Sequence, residues 1–170
     1  PTVFNLLGPL TNPAGAKRQL IGVPSVNLTK KIAQVLKKLG SERVMVVHGH
    51  DGLCELTVTA PTHVAELREG KIKEYEVIPE ELGLKKGKLE EISIGTPEES
   101  AKIMKNIFSG DAKGTAREIA LLNAAGALVV SGQIDNLEEG VNLAAETIDN
   151  GKAAEKLNEL IKFSWKSHWV

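Results

Sequence analysis

The sequence predicts an α/β fold, a mixed, largely parallel sheet flanked by helices. Three observations predict it. A buried-looking run, Val44–Val47, follows an amphipathic stretch and an earlier short apolar run, which is the strand–helix–strand order of a βαβ unit. Residues 62–77 alternate apolar and polar, as a half-exposed antiparallel pair does. From Thr96 onward the apolar positions recur at helical spacing. A chain of 170 residues, 42% hydrophobic and 25% charged, can bury one full core of ordinary composition. With 4% aromatic residues that core must be aliphatic.

The elements follow in order. In residues 1–15, Thr2 can cap a helical turn through Asn5, Leu6 and Leu7, and Gly8-Pro9 is expected to break it. Asn12-Pro13 then favours another turn, so the segment reads as a shaped loop. Gln19–Val23 is a short strand bounded by Pro24. Ser25 or Asn27 caps a helix to about Leu39, with Leu28, Ile32, Val35, Leu36 and Leu39 on one face and Gly40 as the stop. Arg43–Val47 is the buried strand. Leu56–Thr59, His63–Arg68 and Ile72–Ile78 read as three more strands joined at Ala60-Pro61 and Glu69-Gly70-Lys71. Residues 82–87 read as surface loop. Thr96-Pro97-Glu98-Glu99 starts a helix that Gly110 ends. Ala116–Val130 is apolar throughout and reads as a buried central helix. Helices over Leu137–Ile148 and about Lys152–Phe163 complete a domain of residues 1–163, and 164–170 forms a tail carrying both tryptophans.

Composition narrows the function classes. Net charge is −1, although residues 1–40 contain Lys17, Arg18, Lys30, Lys31, Lys37 and Lys38 and no acid. That basic end suits phosphate-bearing ligands or a solvated helix face. No aromatic residues interleave with the cations, so nucleic acid is not expected as a partner. Nothing resembles a membrane span or signal peptide, and the single Cys permits no internal disulfide; a cytoplasmic location is expected. The first residue is Pro, so the sequence is expected to be a trimmed or partial chain.

The stretch that gathers chemistry is His48-Gly-His-Asp-Gly-Leu-Cys-Glu55, at the end of the buried strand. Ligands of open α/β sheets lie beyond the carboxyl ends of strands. Three readings stay open. Asp51 and Glu55 can hold Mg2+, a hard ion that takes one or two carboxylates and is completed by water and substrate phosphates. His48, His50, Asp51 and Cys54 are permissible ligands for a softer ion such as zinc, although the spacing matches no strong zinc pattern. Or the loop is a structural turn, with Asp51-Gly52 as turn chemistry and His48 satisfied by hydrogen bonds.

Three segments together, Thr2–Pro13, Val47–Leu56 and Ala116–Ala125, resemble anthranilate phosphoribosyltransferase. The similarity covers nearly all of the chain apart from the tail and corresponds to about the carboxyl-terminal half of that family. It implies a nucleoside phosphorylase/phosphoribosyltransferase-like catalytic domain. The implied reaction moves the phosphoribosyl group of phosphoribosyl pyrophosphate to anthranilate and releases pyrophosphate, a step of tryptophan biosynthesis. Mg2+ is the implied cofactor and a homodimer the implied assembly. The family's metal loop carries an adjacent Asp-Glu pair. Glu55 matches its Glu, and Cys54 stands where the Asp would be. Gly8 and Pro9 match the loop lining the anthranilate access path. Asn5 would hold that loop, and Asp51 and Gly52 would shape the approach to the metal pair.

The resemblance implies two departures. A thiol, mostly protonated near pH 7 at an unperturbed pKa of ~8.5, is a poor Mg2+ ligand, so weaker Mg2+ binding is expected. The family's amino-terminal helical domain and Gly-rich phosphate loop are absent from these residues, so the chain is expected to be inactive alone and to need a complementing amino-terminal half. The alternatives are a pyrimidine nucleoside phosphorylase of the same architecture, a catalytically silent relative acting as a scaffold, and an engineered fragment acting as a binding module.

Overall fold

The computed structural model describes residues 3–166. The Thr2 cap and the tail end, 167–170, lie outside the described residues. Four strands, β1 (Arg18–Gly22), β2 (Arg43–Gly49), β3 (Thr62–Arg68) and β4 (Lys71–Val77), form one sheet in sequence order. Six helices accompany it: α1 (Val3–Leu10), α2 (Val26–Lys38), α3 (Pro97–Phe108), α4 (Thr115–Ser131), α5 (Leu137–Asp149) and α6 (Lys152–Lys166). Short 3-10 turns cover Pro79–Leu82 and Leu89–Glu91.

The sheet is mixed, but the expectation that it is largely parallel is corrected. Only β1 and β2 are parallel; β2/β3 and β3/β4 are antiparallel. The reason is the connections. A parallel pair needs a long crossover, and α2 is the only helix that lies between strands. Glu69 and Gly70, with φ of 52° and 72°, close a two-residue hairpin whose twist suits β3 and β4.

Strand β2 is covered on both faces, which explains its unbroken apolar run. Val44 and Val46 join Ile32, Leu36 and Leu67 beneath α2. Met45 and Val47 join Leu56, Val64, Leu122 and Val129 beneath α4 and α5. Helix α4 is held close to its neighbours by glycines. A methyl on Gly126 would lie 2.6 Å from Leu56 Cδ1, and one on Gly140 of α5 would lie 2.7 Å from Ala125 Cβ.

Four further expectations change. Gly8 and Pro9 do not break α1 but lie inside it. Proline's fixed φ is helical, it costs one donor, and Gly8 has no Cβ to clash with the ring. Leu56–Thr59 is not a strand, because its backbone is bonded by side chains and a loop instead: Leu56 by Asn123, the Thr57 amide by Thr62 Oγ1 at 3.0 Å, and the Val58 carbonyl by the Gly87 amide at 3.0 Å. The expected surface loop 82–87 buries Leu84. Helix α6 runs past Phe163 to Lys166, since no Gly or Pro intervenes, and Trp165 stands exposed on it. Elsewhere the helix signals hold. Thr96 caps α3 in a reciprocal box with Glu99, and Asn136 caps α5 by accepting from the Glu139 amide at 2.9 Å. Among the described residues no helix is long and apolar enough to cross a membrane.

Candidate functional site at the end of strand β2

Strand β2 runs one residue pair beyond its apolar core and ends at Gly49. The chain then turns back on itself: the Gly52 amide donates to the Gly49 carbonyl at 2.9 Å, and the Gly49 amide to the Leu53 carbonyl at 2.8 Å. Gly52 takes φ of 92°, a conformation that side chains disfavour. The turn then meets the end of β1. A methyl on Gly22 would lie 1.5 Å from the Cys54 carbonyl oxygen, so the Cys54 backbone rests directly on that glycine.

Asp51 is the knot of this loop. Its Oδ1 accepts from the Leu53 amide at 3.0 Å, and its Oδ2 accepts from Thr57 Oγ1 at 2.6 Å and from Thr59 Oγ1. Burial pushes its carboxyl up, but the hydrogen bonds from Thr57, Thr59 and Leu53 outweigh that and hold it below the ordinary value. Both oxygens are therefore committed to the fold, which gives Asp51 a shaping part.

Glu55 is the opposite case. Among the described residues it has neither a hydrogen bond nor an ion pair, and it stands exposed at the mouth of a cleft of about 520 Å³. The cleft walls are largely apolar, from Leu53, Ile103, Met104 and Ile119. The protein still crowds the carboxylate enough that burial raises its pKa, and the charge of Asp51 raises it further. A nearby cation would relieve both causes.

Sequence position is fixed just after Glu55. Asn123 of α4 donates from Nδ2 to the Leu56 carbonyl at 2.7 Å and accepts at Oδ1 from the Leu56 amide at 3.2 Å. Cys54 is exposed and is the only cysteine. His48 and His50 face elsewhere. His48 Nδ1 lies 2.9 Å from the Val23 carbonyl oxygen, and His50 Nε2 lies 3.1 Å from Glu76 Oε2. The zinc reading finds no support, for among the described residues no group of three or more His, Cys, Asp and Glu could hold a metal ion.

Toward Mg2+ the two neighbouring donors differ. Glu55, a free hard-oxygen ligand with an uncompensated charge, fits; the Cys54 thiol does not. Gly8 and Pro9 lie on α1, where Pro9 lines a hollow with Leu10, Asn12, Lys17 and Leu36, separate from the cleft that Glu55 lines. Asn5 also lies on α1. Its side chain lies outside the described residues. Sequence reasoning missed Gly22, Thr57, Thr59 and Asn123. Asn123 alone left a signal: one amide inside the aliphatic run Leu121–Ala125 calls for a partner.

Residues 1–154 match the glycosyl transferase family, a/b domain. The chain is 47% identical over 163 residues to anthranilate phosphoribosyltransferase of Acetivibrio thermocellus, covering 96% of this chain and 47% of that protein. It is 51% identical over 160 residues to the enzyme of that name from Rhodopseudomonas palustris, covering 94% and 47%. Among solved structures, the anthranilate phosphoribosyltransferase of Thermus thermophilus matches with a TM-score of 0.87 and 39% identity, over 96% of this chain and 48% of that one. The Saccharomyces cerevisiae enzyme, solved in complex with PRPP and Mg, matches with a TM-score of 0.85 and 30% identity, over 95% and 47%. The chain thus spans about half the length of the curated relatives it matches.

Proposed function

Since the chain belongs to the glycosyl transferase family through its a/b domain, we propose that it forms one wall of a site that transfers phosphoribosyl from phosphoribosyl pyrophosphate to anthranilate, with release of pyrophosphate. The observation that carries this reading is Glu55: a carboxylate without a partner among the described residues, crowded by protein and by Asp51, just beyond the carboxyl end of a buried strand. The relatives named anthranilate phosphoribosyltransferase supply the reaction, and the yeast enzyme's complex with PRPP and Mg supports the choice of ligand.

In this reading Glu55 would hold Mg2+, an ion that usually takes one or two carboxylates along with water and phosphate oxygens. An Mg2+ ion held there would supply the charge that neutralises a departing pyrophosphate. Asp51, with Thr57 and Thr59, keeps the loop in one shape, so that Glu55 meets its ligand without reorganising. Gly8 and Pro9 line the anthranilate access path, and Asn5 supports them. The remaining contacts come from the half of the relatives' length that these residues do not span, and the full assembly is a homodimer. Alone, the chain turns over no phosphoribosyl pyrophosphate.

The test is Cys54→Asp. Restoring the second carboxylate raises Mg2+ affinity, and raises transferase activity when an amino-terminal half is supplied. If both stay unchanged, the ligand role of this pair is wrong. A second reading, a catalytically silent relative that acts as a scaffold, is favoured by Cys54 itself, a thiol where a hard oxygen ligand is wanted. It expects no gain from the same substitution.

A further inference from the structure

We infer that Asn123 is a positioning residue that sets where Glu55 presents its carboxylate; the inference rests on the reading of Glu55 as the cation's ligand. Asn123 contacts no reacting atom. It sits on α4, half-buried, and its side chain copies the two bonds of a neighbouring strand: Nδ2 donates to the Leu56 carbonyl at 2.7 Å and Oδ1 accepts from the Leu56 amide at 3.2 Å. The other Nδ2 hydrogen reaches the Ile119 carbonyl at 2.9 Å, one turn back on the same helix. Both amide hydrogens are therefore used, and the side chain is held to α4 while it holds Leu56.

The same helix face holds the Leu56 side chain. Gly126, one turn along from Asn123, leaves room for it: a methyl there would lie 2.6 Å from Leu56 Cδ1, and Leu56 is fully buried. Leu56 is thus fixed to α4 through backbone and side chain together. Helix α4 is itself buried along Leu121, Leu122, Ala125 and Val129, so it is a stiff reference. Glu55 is one residue from that fixed point. On its other side, Cys54 rests on Gly22 of β1. Glu55 is therefore bracketed between the end of the sheet and α4. Without the amide, both Leu56 backbone groups lose their bonds, and the segment must shift to find new ones. That shift moves Glu55.

The test uses the full chain and Mn2+, a hard paramagnetic ion, as the probe. Cys54→Asp and unaltered chains are titrated, and the broadening of backbone amide NMR signals reads both affinity and place. Broadening is expected to centre on residues 53–56 and to vanish in Glu55→Gln. Asn123→Ala is expected to weaken Mn2+ about tenfold, ~1.4 kcal/mol, and to displace the broadening from 53–56. Asn123→Asp, which keeps the acceptor for the Leu56 amide, recovers part of that loss. Asn136→Ala, which removes the α5 cap, serves as a destabilised control and leaves Mn2+ binding unchanged. An Asn123→Ala chain with unaltered affinity and pattern, alongside a Glu55→Gln chain that no longer binds, overturns this inference alone. Absence of loop-centred broadening in the Cys54→Asp chain overturns the metal reading and this inference with it.

Discussion

Gly22→Ala asks whether the end of β1 sets the functional loop. The added methyl would lie 1.5 Å from the Cys54 carbonyl oxygen and 2.4 Å from its carbonyl carbon. These are backbone atoms, so no rotamer change can clear them. Ordinary van der Waals contact is about 3.5 Å, so roughly 2 Å of movement is required. Gly22 is also held, through its pairing with Val47 and the 3.0 Å bond from the Val23 amide to the Val47 carbonyl. The loop must give way, not the strand. Overpacking of this kind costs about 1–3 kcal/mol. Replacing Gly returns about 0.4–1 kcal/mol by narrowing the unfolded ensemble. The centres of these ranges net to a loss of about 1.3 kcal/mol, or a fall in Tm of about 3–5 °C at this size. Because Cys54 is the only cysteine, the rate of its reaction with a thiol reagent reports the loop directly. A chain that keeps its Tm within about 1 °C and an unaltered labelling rate would refute the contact as the loop's anchor.

Three further outcomes follow from the same geometry. Thr57→Ala removes a buried donor to a charged carboxylate and should cost about 1.5–3 kcal/mol at pH 7 by urea denaturation. Asp51 has its folded pKa depressed below 3.8, so its stabilisation is complete above that value and is lost as pH falls through the folded one; the cost of Thr57→Ala should shrink in acid, and a cost independent of pH would argue against the charged bond. Glu55 carries the opposite sign. Its folded pKa is raised above 4.5, so the ionised form opposes folding at neutral pH and that opposition fades as pH falls through the raised folded value toward the unfolded one. Glu55→Gln should therefore stabilise the chain slightly at pH 7, by up to about 0.5 kcal/mol after solvent screening, and not at pH 3; a loss of stability at pH 7 would mean that Glu55 has a structural partner. Thr96→Ala removes the side-chain acceptor of the α3 capping box, while the residue-96 amide can still donate to Glu99, and should cost about 1 kcal/mol in thermal melts while leaving Cys54 labelling alone.

The helices were legible because their signals are local. Pro97 with early acids, Asn136 before an apolar stripe, and the apolar stretch Ala116–Val130 each act within a few residues. The strands β2, β3 and β4 were legible for the same reason. The segment Leu56–Thr59 was not. Its apolar, β-branched residues do suit a strand, but the partners that take its backbone bonds are Asn123 and Gly87, far along the chain. The parallel β1/β2 unit and the antiparallel β3/β4 pair were read correctly, but the balance of the sheet was not, since pattern tells a strand from a helix but not which neighbour a strand will face, and β2 meets β3 antiparallel.

The loop that ends β2 divides in the same way. Sequence by itself determined its place, its two acids and its one cysteine, because these are residue identities next to a buried strand. Only the tertiary structure decided what each acid does. Asp51 and Glu55 look alike in sequence and are four residues apart. One is saturated by Thr57, Thr59 and Leu53, and the other, without a partner among the described residues, lines an apolar cleft. Hydrogen-bond donors and burial set a carboxylate's role, and both arrive from residues that only folding brings to it.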